Sequence, residues 1–422
     1  MANLTTQAAL AGAMPGVRSG AGASERLHAL DAARAGALLL GVVFHATMPY
    51  LPGPQMWFVQ DQSAPIMGYL FYIPHIFRMA LFFLLAGFFA RMMLHRKGTG
   101  AFIGNRAKRI LLPLVVGWPI VMAAIIACFV YGFAITAPPG TEPPPSPPMT
   151  LQTFPLTHLW FLYVLVIFYA VALLLRGVVV AIDRKGSMRS GLVDPIVRFL
   201  ASSPIGLAIL AAPLAVTFVL MPQWYSWFGI QTPDFGLIPN NMALVAYGTV
   251  FGFGWLMQRQ MDLLGVWKRN WWINLILAFV LTGGCLWLVG GAPAFVPAAG
   301  DWKEVAYACA YSLAMWCWVA GLIGLAMEVF TRHNPVVRYV ADASYWIYLA
   351  HLPLVMALQA ALLKVELPLA YKFPLLLGLT FAILFASYAV MVRHTFIGKT
   401  LNGPRPRGNR SSETADASVI MT

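Results

Sequence analysis

The sequence predicts an all-α integral membrane protein with about ten transmembrane helices and both termini in the cytoplasm. Three observations point that way. Only 10% of the 422 residues are charged and 60% are hydrophobic, with a mean hydropathy of +0.73, whereas a soluble domain carries about a quarter charged residues. The apolar sequence falls into blocks of about 20 residues, the length that crosses a ~30 Å hydrocarbon core. The loops between blocks carry most of their basic residues on one alternating set, the pattern of the positive-inside rule.

The expected spans are 32–51, 66–94, 109–136, 157–181, 204–222, 240–258, 271–291, 304–330, 339–362 and 373–396. Backbone polar groups must be satisfied inside lipid, so these are helices. Barrel strands would be half as long and alternate in polarity, which these blocks do not. One set of loops holds Arg96, Lys97, Arg106, Lys108 and Arg109, then Arg184, Lys185, Arg189 and Arg198, then Arg259, Lys268 and Arg269, then Arg332 and Arg338. The other set holds only Lys303, Lys364 and Lys372. The first set is therefore cytoplasmic, and the net charge of +13 follows membrane logic and implies no nucleic-acid partner.

Residues 1–25 lack a basic segment followed by a compact apolar core and are expected to be a flexible cytoplasmic tail rather than a signal peptide. Residues 26–398 form one membrane domain, and the polar stretch 399–422 is expected to be a second cytoplasmic tail. The outer run 137–148, APPGTEPPPSPP, favours stiff polyproline II and suits a spacer. Cys128, Cys285, Cys309 and Cys317 all sit in apolar blocks with no C-x-x-C pair, so neither a zinc site nor a disulfide framework is expected.

Polar groups inside a membrane are costly, which makes each one a functional candidate. In the first span, Arg34 and His45 are eleven residues apart. Eleven steps of 100° close about three turns, placing both on one face about 16 Å apart. Asp31, three residues before Arg34, is placed to pair with it. The alternative is a snorkelling arginine and a structural histidine. The second span carries His75 and Arg78 ahead of a long apolar run. Arg78 lies far from either end of its span, and no carboxylate lies at the centre of any span. It must meet a partner, a cavity or a bound anion.

Arg106 and Arg109, three apart at a cytoplasmic helix start, suit a phosphate-rich ligand or simple positive-inside anchoring. His158 and Trp160 open the fourth span at the outer surface. There Trp160 alone would be an interfacial belt residue, and the adjacent histidine makes an outer site worth considering. In the ninth span Ser344, Tyr348 and His351 fall at i, i+4 and i+7 and form one polar stripe, which helix–helix hydrogen bonding would also explain. Histidines thus lie in the outer half or middle of the membrane and arginines at the inner mouth. Histidine suits a general base at neutral pH. The sequence has no GxSxG, HExxH, Walker A or dinucleotide fingerprint.

These motifs in this order resemble the membrane acyltransferase-3 family. The resemblance rests on Arg34-x10-His45 and Arg106-x-x-Arg109. The segments 75–89 (HIFRMALFFLLAGFF), 158–162 (HLWFL) and 342–354 (DASYWIYLAHLPL) are similar to its periplasmic-glucan branch. It covers roughly residues 26–396.

The resemblance implies an O-acyltransferase of the bacterial inner membrane that uses acyl-CoA as donor. In the glucan branch it implies succinyl transfer to osmoregulated periplasmic glucans, with other glucan-biosynthesis proteins as potential partners. It implies the catalytic histidine role for His45 and essential arginine roles for Arg34, Arg106 and Arg109. Asp342 stands where some relatives have Asn and receives no catalytic part.

On this reading the CoA phosphates meet Arg106, Arg109 and Arg34, His45 takes the acceptor proton, and Arg78 or His351 stabilises the oxyanion. Asp31, His75, His158, Trp160, Ser344 and Tyr348 are expected to line the substrate path. No metal or resident cofactor is expected. O-acetylation of another surface polysaccharide or a lipid is the alternative within the class. A solute or glycan transporter is the alternative outside it, weakened because Asp31/His45 and Asp342/His351 differ in spacing and give no internal repeat.

Overall fold

A computed structural model describes residues 18–143, 145, 148–221, 224–225, 227–290, 300–332 and 334–403. The described chain is helical throughout, with no strand among the described residues and one isolated bridge between Pro155 and Phe235. In order the helices are α1 (Arg18–Thr47), α2 (Pro65–Arg106), α3 (Leu112–Thr136), α4 (Trp160–Ile182), α5 (Asp194–Ser202), α6 (Pro204–Leu220) and α7 (Asn241–Met257). They continue with α8 (Leu264–Arg269), α9 (Trp271–Val289), α10 (Trp302–Val329), α11 (Pro335–Leu362), α12 (Leu369–Ser387) and α13 (Phe396–Asn402). Each expected span overlaps one of these helices, in order.

Among the described residues, seven helical stretches are long and apolar enough to cross a membrane. One is the 72-residue stretch Pro65–Thr136, which contains both α2 and α3. The segments Arg189–Ser202 and Pro204–Leu220 meet at a bend of 98°, and α7 is a shorter apolar helix. Outward faces are apolar: Val115, Ile120, Leu174, Val280, Trp287 and Val390 are all exposed. A water-soluble surface does not collect such residues in continuous belts, whereas a lipid-facing one does.

Three boundaries differ from the sequence reading, one of them the expected tail 399–422, whose first residues belong to α13 and are held through Asn402. The expected loop 95–108 is helical: α2 runs on to Arg106, broken only at Gly98, whose φ of +78° is open to glycine and strained for other residues. A π-helical turn over Ala107–Leu111 joins it to α3. At the N-terminus α1 already begins at Arg18, inside the stretch expected to be a tail. Residues 1–17 and 404–422 of the two expected tails lie outside the described residues, as do positions 144, 146 and 147 of the proline-rich run.

Helix α10 is the central staff, packed on α9, α6, α1 and α2. Backbones approach most closely where α2 meets α7. A Cβ on Gly87 would run into the Phe251 carbonyl, and one on Gly254 into the Leu84 carbonyl. Small residues let membrane helices touch in this way. Helix α1 packs against α11, which brings the two halves of the candidate site together. The loops before α4 and before α7 pack against each other and the bundle. Gly236 and Leu237 donate to the Phe154 and Leu151 carbonyls, and Trp224 and Trp227 are buried.

Candidate functional site

At one end, Arg34 and Asp31 from α1, Arg106 and Arg109 from the α2–α3 junction, and Arg338, Asp342, Ser344, Tyr345 and Tyr348 from α11 line a cavity of about 270 Å³. Arg34 pairs with Asp31 at 3.0 Å, as the i, i+3 spacing predicts. Arg338 lies 4.0 Å from Asp31 and 3.2 Å from Asp342. Four arginines against two carboxylates leave the cavity with an excess of two positive charges.

Two of those arginines have no carboxylate of their own among the described residues. Arg106 lies over the rings of Phe102 (5.2 Å) and Tyr169 (5.0 Å), bonds to Met93 Sδ at 3.4 Å, and keeps its buried Nε without a partner. Arg109 donates to the Asn402 carbonyl at 2.7 Å, so α13 closes the floor of the cavity, while Asn402 Nδ2 donates to the Asp342 carbonyl at 2.8 Å. The π-turn between α2 and α3 widens the helix where these side chains leave it, a feature frequent at functional sites.

Further along α1 and α11, the rings of His45 and His351 are 5.2 Å apart and those of His351 and His158 5.0 Å. Three elements deliver them: the last turn of α1, the middle of α11, and the 3-10 turn Thr157–Leu159 that opens α4. Thr157 has φ of +53°, the one positive φ among the described non-glycine residues, and its buried hydroxyl has no partner. A β-branched residue held there costs about 1–3 kcal/mol, and the strained turn is what points His158 into the cluster.

Hydrogen bonds fix which nitrogen of each ring carries the hydrogen, since a carbonyl only accepts. His351 Nδ1–H donates to the Tyr348 carbonyl at 2.7 Å, and His158 Nε2–H donates to the Leu349 carbonyl at 3.3 Å. In the neutral ring this leaves His351 Nε2 and His158 Nδ1 as lone pairs, and both are buried without a partner, as is His45 Nδ1. The oxyanion role expected for His351 does not fit this tautomer, because the free nitrogen offers a lone pair and not a hydrogen. Arg78 fits it. Its guanidinium is buried, stands 4.4 Å from the Phe44 ring centroid and has an unpartnered Nη1.

The structure separates the remaining expected residues. His75 lies one ring away from the cluster, stacked between Phe44 (5.4 Å) and Phe71 (5.9 Å), with Nε2 donating to the Ile230 carbonyl at 3.0 Å. Trp160 is neither at the cavity nor in an interfacial belt. It is buried against Tyr247 and Phe83 as core. Ser344 bonds within its own helix, to the Ala341 carbonyl at 2.8 Å, yet still lines the cavity. Tyr348 joins the two ends: it lines the cavity and donates to the His158 carbonyl at 2.8 Å. Three residues of the site escaped sequence reasoning. Arg338 was readable as the i−4 partner of Asp342, and Gln359 as a further intramembrane polar residue on the His351 face. Asn402 carried no signal. Among the described residues no group of three or more His, Cys, Asp or Glu is placed to hold a metal ion.

The arrangement joins an arginine-lined mouth to a histidine cluster along one stripe of α11. A model of an acyltransferase domain, Acyl_transf_3, matches residues 27–392.

The chain belongs to this acyltransferase family.

It is thus a membrane acyltransferase, and curated relatives agree. The glucans biosynthesis protein C of Salmonella paratyphi A is 24% identical over 348 residues, covering 78% of this acyltransferase and 82% of that protein. The glucans biosynthesis protein C of Salmonella typhimurium aligns to the same extent. That of Escherichia coli strain SMS-3-5 is 31% identical over 147 residues, 34% of this chain and 37% of that protein. No solved structure gives a significant match.

Proposed function

We propose that this acyltransferase moves a succinyl group from cytoplasmic acyl-CoA to a hydroxyl of a periplasmic glucan. The observation that carries the reading is the polar stripe of α11, whose Ser344 and Tyr348 line the arginine cavity and whose His351 stands in the histidine cluster. A phosphorylated donor suits one end and a general base the other. The glucan acceptor draws support from the names of the relatives, and the succinyl group from the resemblance to the glucan branch. In this reaction the CoA phosphates meet Arg34, Arg106 and Arg109, with Arg338 beside them. The acceptor oxygen attacks the thioester carbonyl carbon as its proton passes to His45. Arg78 faces the oxyanion, the C–S bond breaks, and CoA leaves as the thiolate.

The reading includes the bacterial inner membrane, ten spans and cytoplasmic termini. Dividing Pro65–Thr136 at Gly98 and counting α6 and α7 as crossings gives ten, and the basic loops set the orientation. Glu142→Cys and Gln231→Cys should react with an impermeant thiol reagent in intact spheroplasts, and Ser187→Cys and Gly265→Cys should not. The reverse pattern would invert the topology.

The function itself is tested with purified protein in detergent, succinyl-CoA and a glucan acceptor, read by mass spectrometry. Succinylated glucan is expected. Turnover of acetyl-CoA alone would move the reading to O-acetylation. Activity appearing only in sealed vesicles, as substrate movement, would point to a transporter.

A further inference from the structure

We propose that Gln359 is a positioning residue that sets His45 for the transfer described above, on which this inference rests. The last four carbonyls of a helix have no partner inside it, and α1 ends at Thr47 just after His45. Thr47 Oγ1 returns to the Phe44 carbonyl at 2.7 Å. The next two carbonyls are taken by a residue 314 positions away: Gln359 Nε2 donates to His45 O at 2.9 Å and to Ala46 O at 3.4 Å. The same amide uses its oxygen as well, accepting from Trp57 Nε1 at 2.8 Å. Gln359 is 2% exposed, so these bonds are made in a dry site and lack competition from water.

A terminal cap needs none of this convergence. Gln359 joins the three elements whose relative placement decides where His45 sits. Helix α11 carries Gln359 itself and, two turns earlier, His351. The end of α1 carries His45. The outer loop carries Trp57, whose ring centroid is 6.4 Å from that of His45. The loop is itself fixed. Lys372, 1% exposed, holds Asp61 at 2.7 Å, and Gln62 bonds both the Leu367 carbonyl and the Leu369 amide. Trp57 therefore reaches Gln359 from a rigid support, and the 5.2 Å spacing of His45 and His351 is set through one amide. Misplacing a reacting group by about 1 Å can cost about 10²-fold in rate.

The test uses the full chain in detergent with succinyl-CoA and glucan, and reads kcat, Kd for succinyl-CoA and the thermal transition. Gln359→Met keeps the volume and removes every hydrogen bond. Gln359→Leu likewise removes the donor to the His45 and Ala46 carbonyls and the acceptor for Trp57. Both should lower kcat about 10- to 100-fold while Kd stays within about twofold, and Trp57→Phe should lose less than either. In a His45→Gln background Gln359→Met should produce no further loss, because the residue acts through His45. A Gln359→Met enzyme with kcat within about twofold of wild type would overturn the proposal, as would full additivity with His45→Gln. Should Gln359→Met lose its thermal transition, Gln359→Asn, with the same amide one methylene short, carries the same reading. A wild-type protein that transfers no succinyl group would instead count against the function and not against Gln359.

Discussion

In the arginine cavity Asp31 meets Arg34 at 3.0 Å, and Arg34 and Arg338 keep 40% and 51% of their side-chain surface open. At the histidine cluster Arg78 is 7% exposed, leans on the face of Phe44 and leaves Nη1 without an acceptor, and three histidines each have an unpartnered ring nitrogen. The two regions handle the same difficulty in opposite ways. At the cavity the charge of Arg34 and Arg338 is shared with Asp31, Asp342 and solvent, while Arg106 and Arg109 rest on rings and a carbonyl. The cluster holds buried polar atoms that have no hydrogen-bond partner among the described residues. Such a region is unfavourable until a substrate supplies the missing partners, as expected of a place where charge develops during reaction.

The largest effect that sharpens this contrast concerns Arg78. Arg78→Met should lower kcat about 10²–10³-fold, the usual loss on removing one oxyanion donor. Because it breaks no ion pair, it should leave the thermal transition in detergent unchanged or raise it. A large fall in stability would mean that Arg78 is a structural residue. A smaller effect is expected at the mouth. Arg106→Gln and Arg109→Gln should each weaken succinyl-CoA binding about 10- to 100-fold, the value of about 1.5–3 kcal/mol for a charge-assisted hydrogen bond. They should change the affinity for a pantetheine-type thioester much less. Equal losses for both donors would show that the arginines do not read phosphate.

The same contrast explains what the sequence made legible. Helix order, apolar blocks and the face shared by Arg34 and His45 follow from local composition and a 3.6-residue period, and the long helices fall where those signals put them. The continuation of α2 through the basic loop to Arg106 was hidden, because charge reads as loop while a helix lying outside the apolar layer tolerates it. At the site, Arg106, Arg109 and the Ser344–Tyr348–His351 stripe were visible as residue types in improbable places. The part that depends on distant chain was not. His75 is drawn away by a carbonyl of the outer loop, at Ile230. Trp160 is absorbed by Tyr247 and Phe83. The tautomer of His351 is set by a backbone oxygen three residues away, which no side-chain pattern records.

The division of labour between the two regions is tested most directly by His45→Gln, measured for succinyl-CoA affinity and for turnover in one preparation. Gln keeps a hydrogen bond but takes up no proton near neutral pH. Turnover should fall about 10²–10⁴-fold, the contribution of general-base assistance, while Kd for succinyl-CoA and the thermal transition stay at wild-type values. Near-normal turnover in His45→Gln would contradict the assignment of the base, and a Kd lost in step with turnover would contradict the separation of binding from chemistry.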